Sequence, residues 1–160
     1  MMDWTRFGHR PDCVKLFTLF TTILIIMSTS AAIYQPVGTG VIWTTTIIAL
    51  IADLSSILVL GLGLDTVFIS RRHRILTWSL IEVVASVLSA ILYFVCIWLC
   101  IHGANYGSTT AFTVSGFFCI LNFFAYVYSF TQHIQLWMKD IGSPQELRAT
   151  FGSATSYGAP

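Results

Sequence analysis

Two carboxylates interrupt stretches that otherwise carry almost no charge. Asp53 lies within "VIWTTTIIALIADLSSILVLGLGLDTVFI", which starts at Val41, and Glu82 within "ILTWSLIEVVASVLSAILYFVCIWLCI", which starts at Ile75. An acid in such a setting can hydrogen-bond to neighbouring helices, or it can hold a proton, a cation or a polar lipid group. Depth separates these uses. At the rise of an α-helix, Asp53 lies about 18 Å from Asp65, while Glu82 lies about 9 Å from Leu76. The two acids are then at different heights and are poor partners for each other. Glu82 is within reach of Arg74, and of Lys15 if those helices are neighbours.

No basic residue shares the expected level of Asp53. Polar residues do. By the same rise, Ser28 and Thr29 lie about 19–21 Å above Lys15, Ser89 about 19 Å above Leu76, and Asn122 about 22 Å above Trp137. One polar residue per helix thus falls in a central layer of Ser28, Asp53, Ser89 and Asn122. As polar glue this layer fixes which helix faces which, at roughly 0.6–2 kcal/mol per contact. As a binding site it centres on Asp53. A transport site normally uses more than one deep ionisable group, which favours glue.

Other chemistry finds little support. The four cysteines lack zinc-ligand spacing, and the four histidines are scattered. There is no Ser-His-Asp set, no phosphate-binding glycine loop and no dinucleotide fingerprint, so neither an enzyme nor a cofactor is expected. Cys96, Cys100 and Cys119 sit within apolar runs, where packing is the default role. Cys13 stands beside basic residues at a membrane edge and is a candidate for S-palmitoylation.

The elements that must position these residues follow from hydropathy. Hydrophobic residues make up 56% of the 160-residue chain and charged residues 9%, against about 25% charged in a soluble domain. Mean hydropathy is +0.78. A membrane-crossing helix needs about 20 mostly apolar residues, and four windows qualify, at about 14–34, 41–69, 75–101 and 110–138. The first is too long for a cleaved signal peptide and is expected to stay in the bilayer. Short connections, "QPVGTG", "SRRHR" and "HGANYGSTT", imply an all-α, antiparallel four-helix transmembrane bundle. Residues 1–13 precede it, and residues 139–160, rich in Gly, Ser, Ala and Pro, read as a disordered tail.

Charge placement orients the bundle. All eight basic residues fall in the N-terminal segment, in the loop holding Arg71, Arg72 and Arg74, or at the C-terminal end. By the positive-inside rule both termini are cytoplasmic. The arginine loop also offers a modest attraction to anionic lipid. A net charge of +1 gives no reason to expect nucleic acid. The lipid bilayer is the first expected partner. Ala85 with Ser89, and Ser86 with Ala90, form small-residue pairs that let helices of other membrane proteins, or of a second copy, approach closely.

Four short-looped spans with both ends inside resemble the MARVEL domain, across roughly residues 10–140. The third span, "WSLIEVVASVLSAILYFV", is similar to that family's Trp, acid, small residues and central Tyr. The fourth, "AFTVSGFFCILNFFAYVYSF", is similar to its alternation of small residues with Phe and Tyr. The outer loops lack the paired cysteines of some longer members. The resemblance implies a non-enzymatic membrane organiser of plasma or vesicle membranes, acting in vesicle trafficking, membrane apposition, fusion or junction assembly. Two alternatives stay open: an accessory subunit packed on a channel, transporter or receptor, and a small proton or ion conductor using Asp53.

Overall fold

The computed structural model describes residues 12–62, 78–105 and 108–141. They form four α-helices: α1 (Asp12–Ser30), α2 (Thr39–Gly61), α3 (Trp78–Ala104) and α4 (Thr109–Ile141). Each contains a segment long and apolar enough to cross a membrane. No strand occurs among the described residues. The expected loop residues Arg71, Arg72 and Arg74 lie outside the described residues, as do residues 1–11, 63–69 of the second expected span, and the tail beyond Ile141.

Local chemistry sets the helix ends. α1 stops at Ser30, short of the expected residue 34, in a run of small and polar residues ahead of Pro36. Its last turn is closed by the amides of Ala31 and Ala32, bonded to Met27 O and Thr29 O. The next helix starts where Thr39 turns its hydroxyl and its amide onto Pro36 O, at 2.8 and 3.1 Å. Gly38 makes that turn with φ of 105°, a left-handed conformation open to glycine. A Cβ there would also stand 3.0 Å from Leu99 Cδ2, so the turn packs on α3. α2 ends with Leu62 as C-cap, its amide bonded to Leu58 O at 3.0 Å.

The helices close a ring: α1 contacts α2 and α4, and α3 contacts α2 and α4. The α3–α4 seam is the closest. A Cβ on Gly116 would lie 3.2 Å from Cys100 Cβ, so glycine is what allows this approach. Buried positions recur by threes and fours. On α1 they include Lys15, Thr18, Thr22, Ile25 and Thr29, with Thr21 beside them; on α4, Phe112, Ser115, Cys119, Asn122, Tyr126, Ser129 and His133, with Gly116 beside them. A spacing averaging about 3.5 residues keeps one stripe on its neighbour in left-handed packing.

That stripe is largely polar, and the outer surface is apolar. Phe20, Met27, Ile51, Phe94, Trp98 and Phe124 are exposed. Outward-facing hydroxyls are satisfied within their own helix: Ser30 bonds Ile26 O, Thr44 bonds Gly40 O, and Ser55 bonds Ile51 O, at 2.7–2.8 Å. Such back-bonding suits a surface without water, where an unpaired polar group is costly.

Candidate functional site: a buried ion cluster

Three helices each contribute one ionisable side chain to a single buried place. Lys15 comes from the first turn of α1, Glu82 from the second turn of α3, and Asp53 from the C-terminal half of α2. They are 5%, 2% and 1% exposed. Lys15 Nζ stands 2.6 Å from Glu82 Oε2 and 3.8 Å from Asp53 Oδ1. α4 supplies the wall. The Tyr126 hydroxyl donates to Asp53 Oδ2 at 2.8 Å, and the Lys15 ammonium sits 6.0 Å from the centre of the Tyr126 ring. Tyr126 stacks on Tyr93 of α3 at 5.6 Å. Asp53 Oδ1 and Glu82 Oε2 both face the lysine, and neither takes part in a hydrogen bond of regular geometry.

This geometry corrects two expectations. Asp53 does have a basic residue at its level, and the two acids do share a site, because Lys15 lies between them. The expectation takes Lys15 as the edge of the first span, whereas the lysine lies within α1 and turns inward. α2 ends at Gly61, with Leu62 as its C-cap, which sets Asp53 about 12 Å from that end, and the lysine between them brings the two acid side chains to one site.

The expected layer of Ser28, Asp53, Ser89 and Asn122 is not assembled. Asn122 belongs to a separate node. It accepts a hydrogen bond at Oδ1 from Thr21, and its Nδ2 donates to Thr22 Oγ1 at 3.1 Å. The Thr22 hydroxyl in turn meets the Tyr93 hydroxyl at 3.0 Å. Ser28 donates to the Ala111 carbonyl at 2.8 Å, and its neighbour Thr29 pairs with Ser115 at 2.9 Å. Ser89 is only half-buried. The serine of α3 that enters the seam is Ser86, which bonds Ser129 at 3.3 Å. Cys13 is exposed on the first turn of α1, while Cys96, Cys100 and Cys119 are buried free thiols.

Lys15 meets Glu82, as its reach allowed; the residues missed were Thr21, Thr22, Tyr93, Ser115 and Tyr126, with Lys15 as the partner of Asp53. A signal for three of them, Lys15, Thr22 and Ser115, was present. Lys15, Thr22 and Thr29 recur every seventh residue, as do Thr39, Thr46 and Asp53, and as do Ser115, Asn122 and Ser129. A seven-residue repeat of polar residues inside apolar helices marks a buried seam.

From the ion cluster the polar seam runs along α1 and α4 through the Asn122 node. It is then closed by Ile25, 0% exposed, which packs in one core cluster with Tyr93, Cys96 and Cys119. Beyond it lies the Thr29–Ser115 pair. The arrangement can therefore fix helix register, and it can hold a proton among its acids. A scan of family models finds no match to this chain, and searches among curated proteins and solved structures find none either.

Proposed function

We propose that this chain is a four-span membrane-organising protein of MARVEL type, acting in vesicle trafficking, membrane apposition or fusion, or cell-junction assembly in plasma or vesicle membranes. The carrying observation is the distribution of polarity. Lys15, Asp53, Glu82, Asn122 and most of the threonines and serines at the helix seams turn inward, and the large exposed side chains of all four helices are mainly apolar. A protein of this form meets its partners through helix faces and lipid. An outward apolar groove between α3 and α4, lined by Val87, Ile91, Phe94, Phe123, Val127 and Phe130, is such a face.

Both termini are taken as cytoplasmic and the helices as antiparallel. Contact order supports the second point: Thr21 and Thr29 on α1 meet Asn122 and Ser115 on α4, so numbers fall on one helix as they rise on the other. The grouping of basic residues supports the first.

Localisation of the tagged full chain in a polarised epithelium and in fusing muscle, with purification in mild detergent, tests this reading. Enrichment at vesicles, junctions or fusion sites without a fixed-ratio partner is expected. Recovery with one stoichiometric channel, transporter or receptor would replace it with an accessory-subunit role.

One observation favours a second reading, a small proton or ion conductor: Asp53 has ionisable company in Lys15 and Glu82. Continuity across the bilayer is what a conductor adds, and Ile25 stands in that path. Proton or cation flux into vesicles holding the purified chain, abolished by Asp53→Asn, would move the assignment to this class.

A further inference from the structure

The ion cluster is unbalanced in charge. Fully ionised, it holds one ammonium and two carboxylates, which leaves one negative charge in excess. An uncompensated charge in a dry interior is far less tolerable than a paired one. The groups that face the cluster come from every helix: Lys15 from α1, Asp53 from α2, Glu82 and Tyr93 from α3, and Tyr126 and His133 from α4. Only Lys15 among them is at ion-pair distance from a carboxylate.

The two carboxylates are not equivalent. Glu82 takes the lysine at contact distance, 2.6 Å. Asp53 is 3.8 Å from it, and its Oδ1 accepts no hydrogen bond although the residue is 1% exposed. Thr18 stands beside Asp53. Its own hydroxyl hydrogen is committed to the Lys15 carbonyl at 3.0 Å, so its oxygen has a lone pair left to accept. As it stands Oδ1 accepts no hydrogen bond, whereas a protonated Oδ1 can donate to the Thr18 oxygen.

We propose that Asp53 is a proton-binding site, with one exchangeable proton on Oδ1 directed to Thr18 while Glu82 remains the counter-ion of Lys15. The reaction is the addition of one proton from water to the Asp53 carboxylate, and no other bond changes. Exchange is one-sided, because the cluster lies toward the end of α2 at Gly61 and Ile25 closes the seam on the other side. Loss of the proton leaves two carboxylates to one ammonium between α1, α2 and α3, so proton occupancy is coupled to their packing. This inference stands on the cluster alone and does not depend on the membrane-organising reading.

The test is infrared difference spectroscopy of the full chain in lipid nanodiscs, titrated upward from neutral pH. A protonated-carboxyl stretching band is expected at neutral pH. It shifts when the chain carries isotope-labelled aspartate and stays in place with labelled glutamate. Asp53→Asn removes the band. Glu82→Gln also removes it, because Asp53 then becomes the counter-ion of Lys15. His133→Gln leaves it. Absence of the band in the unsubstituted chain, or a shift with labelled glutamate, overturns the proposal. The labelling arms need no substitution, so a variant that fails to fold does not blunt them.

Discussion

Lys15 Nζ, on the first helix, stands 2.6 Å from Glu82 Oε2, on the third, with both side chains almost wholly buried. Both helices lie beside α2 and α4, and the long lysine stem carries the charge inward from α1. The ammonium thereby places an ionic contact at the junction of α1, α2 and α3. In a bilayer, where apolar surface alone gives helices little reason to prefer one another, such a contact selects neighbours.

Tyr126 closes the cluster from α4. Tyr126→Phe keeps the ring stacked on Tyr93 and removes only the hydroxyl that donates to Asp53 Oδ2. We expect a loss of about 1–3 kcal/mol, the range for stripping a partner from a buried acceptor. Denaturant titration of the purified chain in mild detergent reads this loss.

Asn122 and Ser89 separate the observed seam from the layer expected at the sequence level. Asn122→Ala breaks two hydrogen bonds to α1, at Thr21 and Thr22. Interhelical bonds in membranes average about 0.6 kcal/mol each, so a destabilisation of about 1–2 kcal/mol is expected. Ser89→Ala should fall within about 0.5 kcal/mol of zero, as for positions that enter no network. Equal losses at both positions would restore the expected layer.

The existence of four apolar helices was legible from hydropathy, because lipid demands long apolar runs whatever their packing. Asp53, Glu82 and Asn122 were legible as buried polar residues for the same reason. Their partners were not. Depth counted from a basic residue assumes that this residue marks the membrane edge, and Lys15 lies inside the bundle. Tyr93 and Tyr126 were hidden because an aromatic in an apolar run reads as packing, and only coordinates show where its hydroxyl points. The seven-residue repeat through Lys15, Thr22 and Thr29 carried the register information. It identifies the stripe of one helix, and the height at which another helix meets that stripe still depends on where each helix starts.

Register is open to a direct chemical test. Thr29 and Ser115 hold their hydroxyl oxygens 2.9 Å apart across α1 and α4. In a background with the native cysteines replaced, Thr29→Cys with Ser115→Cys should cross-link under mild oxidant in intact membranes. Ser28→Cys with Asp53→Cys, which the expected layer would join, should not. The cross-linked band on a denaturing gel, formed within single chains, is the readout.

The ion cluster itself is tested most directly by removing its charges in stages and measuring unfolding in mild detergent or bicelles. Lys15→Met leaves the Glu82 carboxylate buried without its counter-ion, beside a second acid, and should cost about 3–5 kcal/mol, the usual penalty for breaking a buried pair from one side. Adding Asp53→Asn and Glu82→Gln to Lys15→Met takes away the stranded charges and should recover most of that loss. If Lys15→Met is neutral, or if the triple substitution is no more stable than Lys15→Met alone, then Lys15, Asp53 and Glu82 do not share one buried site.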